Sequence, residues 1–452
     1  MTREYPSVQI TEKGERFLKG GHVWVYADEV TSVAGDPEDG AIADVYSKKG
    51  RYLGTGFFNS RSKIRVRIFT KNANDRPDDA FWERKLRWAL QYRKDAMGET
   101  DFRCCRLIFG EADAFPGLTV DRFENVLVSQ VLCLGTDRIK DRLYSMLLRL
   151  LQEEFGTEIS VLYERNDVAI RELEGMEQYT GFWHGDGLSD PAGGVTANIT
   201  DVTANAANTA ANTIVTAAID TPAASVSASA PVTTPTGKTE IVENGIRYEV
   251  DYIHGQKTGF FLDQKYNRRA IRTLAEGKRV LDCFTHTGSF ALNAAAAGAS
   301  HVTAVDISAD ALALAKENAL RNGLCDRMDF VRADVFDLLT EMAEHGKCDY
   351  DLIILDPPAF TKSRDTLEHA TRGYKEINLK AMRLLRRGGY LATCSCSHFM
   401  DENHFRRMLH DAAADAGVSL RQLEARQQAP DHPILWNVPE TDYLKFFIFQ
   451  VV

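Results

Sequence analysis

The sequence predicts an α/β protein whose second half, residues 241–452, folds as a doubly wound, mostly parallel sheet of seven strands. Three observations predict it. Strand and helix periods alternate without a break from Arg279 onward, which means a parallel sheet covered by helices on both faces. Its first strands are short apolar runs, as strands buried on both faces must be. Two strand-like segments close the chain in succession, which predicts an antiparallel pair at one edge.

The first half reads differently. Segments 8–30 and 44–70 are short strands joined by glycine turns, a small all-β module over 1–78. Residues 79–185 form an α+β intermediary module: the basic helix FWERKLRWALQYRKDAM, the loop FGEADAFPGLTVDRF, the strand ENVLVSQVL and a further helix. The loop suits either a substrate contact or a plain turn; its acidic residues set beside Phe and Pro favour the first. Over 186–240 the composition breaks. From 187 to 237 there is no Lys, no Arg and no aromatic, and apart from Leu188 only small and β-branched residues with Asn, Pro and a few Asp. Such a stretch cannot bury enough apolar surface to offset the entropy of ordering it, and it is expected to be a disordered insertion. In the second half, strands are expected at 279–284, 301–308, 328–335, 349–358 and 388–396, with helices at 291–299, 309–323, 367–387 and 401–417. The closing strands are 419–427 and 441–452.

Composition bounds the function. With 452 residues, 44% hydrophobic and 26% charged, the chain is globular and too long for one core. It shows no run of eighteen apolar residues and no signal-peptide pattern, so a cytoplasmic protein with no membrane partner is expected. Eight cysteines without CxxC pairs suggest neither a zinc site nor disulfides, and no metal is expected. A net charge of −10 gives no global attraction to nucleic acid, so RNA would have to be held by local basic surfaces. Arg61, Lys63, Arg65 and Arg67 alternate, and on a strand they would share one face as a positive stripe. An RNA contact and a charge-protected edge strand explain that stripe equally well.

In open parallel sheets the ligand sits beyond the carboxyl ends of the strands. The first strand ends in Asp282, followed by Cys283, Phe284, Thr285, His286, Thr287 and Gly288, a small-residue turn where backbone approaches a ligand closely. The second ends in Asp306, about twenty residues on, where an acid accepts the hydroxyls of a ribose. The third supplies Asp334 and Val335: the acid suits an adenine amino group and the valine an apolar wall, although Asp334 equally suits a helix cap. The fourth ends in Asp356-Pro357-Pro358-Ala359-Phe360. NAD enzymes usually carry GxGxxG after the first strand, which DCFTHTG is not, and have no use for DPP after the fourth. The set points to an S-adenosylmethionine-dependent methyltransferase with a Rossmann-like class I domain.

The fifth strand carries Cys394 and Cys396. Carbon 5 of a pyrimidine is a poor nucleophile, and a cysteine thiolate added at carbon 6 makes it an enamine able to take a methyl group. A thiol here therefore predicts a pyrimidine substrate, with Asp356 positioning the base or moving a proton. Alternation puts both cysteines on one side, and only the one nearer the carboxyl end reaches the cleft, so Cys396 is the expected nucleophile. Two buried core thiols are the alternative.

The strings GQKTGFFLDQKYNRR (255–269), LDCFTHTGSF, LDPPAF, SCS (395–397) and DHPILWNVPETDYLKFF resemble the ribosomal RNA large-subunit methyltransferase I family, whose members make 5-methylcytosine in 23S ribosomal RNA. They span the whole catalytic half. The resemblance implies that Gln264, Lys265 and Arg268 line the donor pocket with Asp282, Asp306, Asp334 and Asp356, supports Cys396 as nucleophile, and makes 1–78 a PUA-like domain and 79–185 an RNA-substrate domain. The implied partner is 23S ribosomal RNA or a large-subunit precursor, with a homodimer left open. In two-cysteine RNA cytosine methyltransferases a second thiol follows the proline, whereas Ala359 stands here, a single-cysteine pattern similar to 5-methyluridine enzymes. Guanine methylation, for which DPPAF would hold the purine, and a non-catalytic RNA-binding assembly role are the other readings.

Overall fold

The computed structural model describes residues 4–185, 188, 237–345, 349–361 and 364–452. The insertion expected at 186–240 lies outside the described residues up to 236, apart from Leu188, and Lys238 already opens a strand.

The N-terminal module is a sheet of β1 (Ser7–Ile10), β2 (Trp24–Tyr26), β3 (Val30–Ala34), β4 (Ile42–Ser47), β5 (Tyr52–Phe58) and β6 (Ile64–Thr70), in the order β2-β6-β5-β4-β1-β3. It is not purely β: a helix, Glu12–Lys19, stands between β1 and β2. Thr11 caps it by accepting from the Gly14 amide, and Glu12 and Glu15 in the first turn complement the helix dipole. That capping signal was in the sequence and the strand reading passed over it.

The intermediary module packs the helices Asp79–Phe102 and Lys140–Glu153 on a sheet of β7 (Cys104–Phe109), β8 (Leu118–Phe123), β9 (Val126–Val131), β10 (Val161–Asn166) and β11 (Tyr179–Phe182). The hairpin β12 (Lys238–Glu243) and β13 (Ile246–Asp251) follows and packs on β7 and β8. It turns at Asn244 and Gly245, both at positive φ, the pairing that two-residue hairpin turns require.

The catalytic half contains β14 (Arg279–Cys283), β15 (His301–Asp306), β16 (Met328–Arg332), β17 (Leu352–Leu355), β18 (Tyr390–Ser395), β19 (Leu420–Arg426) and β20 (Lys445–Val451). Their order is β16-β15-β14-β17-β18-β20-β19; the first five are parallel, and β20 is antiparallel to both its neighbours. The expected antiparallel pair is present, with the last strand inserted between β18 and β19. Leu352, Ile353, Ile354 and Leu355 are all fully buried, each worth roughly 1.5–3 kcal/mol, because helices cover both faces. The chain reverses its winding between β14 and β17, and this switch point sets the ends of β14, β15, β17 and β18 side by side. No helix among the described residues is long and apolar enough to cross a membrane.

Candidate active site

The turn after β14 is held from inside by Asp282. This carboxylate is fully buried; one oxygen accepts from the Thr285 hydroxyl at 2.6 Å and the Ala291 amide at 2.9 Å, while the other has no partner. Burial pushes its pKa up to about 7. Phe284, His286 and Gly288 all have positive φ, and two of these are side-chain-bearing residues held in the left-handed region. At Gly288 an added Cβ would lie 3.0 Å from Ala315, so the residue is needed for close passage as well as for its φ of +80°. The Thr287 hydroxyl is buried without a hydrogen-bond partner among the described residues. Two orphaned polar atoms on a contorted turn fit a polar ligand such as the methionyl end of the methyl donor.

Asp306 ends β15. One of its oxygens accepts from the His286 amide and the other from the Ser308 amide, both at 2.9 Å, which fixes the carboxylate and leaves lone pairs for ribose hydroxyls. Ile307 beside it is 63% exposed, an uncovered apolar side chain on which a ring can rest. Sequence reasoning missed Ile307 and assigned the apolar wall to Val335, which is instead sealed in the core with Leu281 and Cys283. Asp334 accepts from the Phe336 amide at 2.8 Å, so it does cap the helix Val335–His345.

Of the three residues expected before β14, one faces the site. Gln264 donates to Asp356 Oδ1 at 3.1 Å and to Cys394 Sγ at 3.4 Å, and accepts from Asn267 at 2.7 Å. Lys265 points away: its buried ammonium donates to the carbonyls of Cys104 and Asp101 and pairs with the Asp101 carboxylate, pinning this segment to the intermediary module. Arg268 is committed to Glu243 through bonds of 2.6 and 2.7 Å and to the Phe261 carbonyl. Both lysine and arginine are corrected here from donor ligands to buried struts; a basic residue beside a motif carries no sign of which way it will point.

The ends of β17 and β18 meet at the cysteines. Cys394 is 1% exposed, with its thiol 2.8 Å from Asp356 Oδ1 and 3.5 Å from the Leu355 carbonyl. Cys396, just past the strand, is half-buried, and its sulfur lies 3.9 Å from the Pro357 carbonyl, against the DPP turn. Burial pushes Asp356 up to about 6 despite the hydrogen bonds from Cys394 and Gln264. Burial, then Asp356 and Asp263, push the Cys396 thiol up to about 12. Asp263 was not foreseen: Tyr443 donates to one of its oxygens at 2.7 Å, and the other is buried and unpartnered. Lys445, also unforeseen, is buried at the start of β20 and donates to the Ser397 and Tyr443 carbonyls. Both lie in strings that the family resemblance quotes, and their side-chain chemistry was the signal available.

The basic stripe does not form. β6 begins only at Ile64, so Arg61 and Lys63 lie in the preceding turn, both exposed, while half-buried Arg65 donates to the Asn59 carbonyl. Arg67 is 8% exposed and pairs with Glu111 and Glu174 of the intermediary module, each at 3.0 Å. Glu111 also accepts from Trp24, so the loop GEADAFPGL serves as a joint between the first two modules, while Asp113 pairs with Arg93 inside the intermediary module.

A family described as S-adenosylmethionine-dependent methyltransferase matches residues 196–450, and a PUA-like domain family matches 8–71. Among curated relatives, ribosomal RNA large subunit methyltransferase I of Aeromonas hydrophila is 37% identical over 446 residues, 98% of this chain and 99% of that one. The proteins of the same name from Pseudoalteromonas translucida (36%) and Escherichia coli (35%) each cover 97% of both chains. A solved structure from Streptococcus mutans, described as a candidate SAM-dependent methyltransferase, shares the fold with TM-score 0.72 at 20% identity, covering 98% of this chain and 100% of its own. The donor cradle, the PUA-like module and this end-to-end likeness agree: S-adenosylmethionine is the cofactor, and the chain belongs to the ribosomal RNA large subunit methyltransferase I family.

Proposed function

We propose that this protein methylates carbon 5 of a cytosine in 23S ribosomal RNA, through a covalent adduct of Cys396 at carbon 6. The observation that carries the proposal is the contrast between the two thiols: Cys394 is sealed against Asp356, whereas Cys396 stands half-exposed against the DPP turn. The names of the relatives support ribosomal RNA as the substrate, either naked or within a large-subunit precursor, and the cytoplasm as the place of action.

Bound S-adenosylmethionine supplies an electrophilic methyl group on a sulfonium, held by Asp282, Thr285, Thr287 and the turn Phe284–Gly288 at one end and by Asp306 and Asp334 at the other. Gln264 orients Asp356. With its pKa pushed up to about 6, Asp356 is protonated in about one molecule in ten near neutral pH, and in that form it can lend a proton to ring nitrogen 3, which makes carbon 6 more electrophilic. The Cys396 thiolate adds there, and carbon 5 takes the methyl group. Loss of the carbon 5 proton then expels the thiolate and restores the ring. Ala359, where two-cysteine enzymes carry a thiol, leaves that proton to a carboxylate or water. Phe360 is packed against Tyr374 at 4.6 Å rather than presented for stacking, which disfavours the purine reading.

The test is nucleoside mass spectrometry of 23S ribosomal RNA, isolated from cells lacking the protein, after incubation with methyl-labelled donor. Labelled 5-methylcytidine is expected. Label in 5-methyluridine or a methylguanosine would replace the substrate base, and no label in naked or subunit-bound RNA would remove the enzymatic reading.

A further inference from the structure

A thiol pushed up to about 12 holds only about one part in 10⁴ to 10⁵ as thiolate near neutral pH, so a nucleophile there needs a cation close by. Two ammonium groups oppose the carboxylates of Asp356 and Asp263: Lys257 and Lys445. Lys257 is exposed, on the loop before Thr258. Lys445 is 4% exposed and sits directly across from Ser395 in the β18–β20 register. Its ammonium donates to the carbonyl of Ser397, the residue after Cys396, at 2.7 Å and to that of Tyr443 at 2.8 Å. It is thus anchored by neutral carbonyls, and its third N–H is not used by either.

We propose that Lys445 is a positioning residue that acts through Cys396: clamped between the Ser397 and Tyr443 carbonyls, its ammonium stabilises the thiolate as it forms. The inference rests on Cys396 being the nucleophile. The thiol proton leaves to solvent, the ammonium keeps its three protons, and the new negative charge meets a positive one already in place. Around the thiol stand Asp356, Asp263, Lys257 and Lys445; around the ammonium stand Asp442, Asp401, Cys394 and Cys396. Burial draws Lys445 down to about 8, so it is charged at neutral pH and lost as a cation above that.

The pair has a distinctive titration. Below pH 8 the thiolate beside a charged lysine grows tenfold per pH unit. Above pH 8 the pair has lost one proton whichever group gave it up, so the thiolate-ammonium form holds a constant share and its growth levels off. The experiment is alkylation of the full-length protein with iodoacetamide from pH 6.5 to 9.5, followed peptide by peptide at Cys396. It compares the native protein with Lys445→Gln, which still donates to a carbonyl without charge, and Lys445→Arg. The native rate should climb about tenfold per pH unit below pH 7.5 but only about threefold from pH 8 to 9, because thiolate beside neutral lysine takes over about one unit above the lysine's own pKa. At pH 7.5 Lys445→Gln should alkylate about tenfold more slowly and Lys445→Arg should stay within about threefold of native, and both variants should keep rising about tenfold per pH unit where the native profile flattens. A native profile that keeps climbing about tenfold per pH unit through pH 9, or a Gln variant alkylated like native, overturns the proposal; the native profile decides even if the Gln variant fails to fold. Alkylation is read without RNA, so a failed substrate assignment would leave this result standing, and the reverse.

Discussion

Replacing Asp282 by Asn removes a buried charge that the turn after β14 holds with difficulty. The carboxylate is fully buried, one oxygen has no partner, and its pKa rises from 3.8 to about 7. Three pKa units at about 1.4 kcal/mol each give about 4 kcal/mol as the upper bound on the pH-dependent term. The folded form binds its proton more tightly than the unfolded chain does. The contribution is therefore full below about pH 4 and is lost as pH rises through about 7. Asparagine keeps an acceptor for Thr285 and the Ala291 amide and does not titrate. Thermal unfolding of the donor-free protein from pH 4.5 to 8.5 should thus show the variant near the native protein at the acid end and several degrees above it at pH 7.5. Because the bound donor is cationic, the native protein should also bind S-adenosylmethionine more tightly as pH rises from 6 to 8, and the variant should lose that dependence. A melting difference that does not change with pH would refute the reasoning.

Other perturbations separate struts from site. Cys394→Ser keeps a donor toward Asp356 and should cost about 1 kcal/mol of stability with initial methylation rates within a few-fold of native. Glu243→Gln strands the buried Arg268 guanidinium and should lower stability by about 3–5 kcal/mol, seen as a large drop in melting temperature. Arg67→Met leaves Glu111 and Glu174 uncompensated and should destabilise the joint between the first two modules by a similar amount, whereas exposed Lys63→Ala should leave melting unchanged. If Lys63 meets a phosphate, the Ala variant should also show a salt slope for RNA binding shallower by about one.

Much of the catalytic half was legible because its signals are local. The largely apolar runs at 280–283, 302–305 and 352–355 read as strands buried on both faces, and the acids at 282, 306 and 356 fall within one residue of their carboxyl ends. The two-residue step along the fifth strand likewise separated Cys394 from Cys396, since it moves a thiol from the buried strand to a half-buried position just past its end. What failed were long, flexible cations. Lys265, Arg268 and Arg67 each left the face their position suggested for a carboxylate or carbonyl more than twenty residues away, and a partner at that distance leaves no local trace. Asp263 and Lys445 escaped for the same reason, since their relation to Cys396 exists only once β20 has been inserted beside β18. The helix Glu12–Lys19 is different: Thr11 and the acidic first turn announced it, and the glycines around it masked it.

The central claim is that Cys396 forms a bond to the target base. Substrate RNA carrying 5-fluorocytidine at the modified position has no proton to lose from carbon 5, so the adduct cannot resolve and stays on the protein. Incubation with donor, denaturation, and peptide mass spectrometry should find the nucleotide joined to the peptide containing Cys396, with none formed by Cys396→Ala. A cross-link that persists in that variant at Cys394, or methylation that continues without either thiol, would contradict the account.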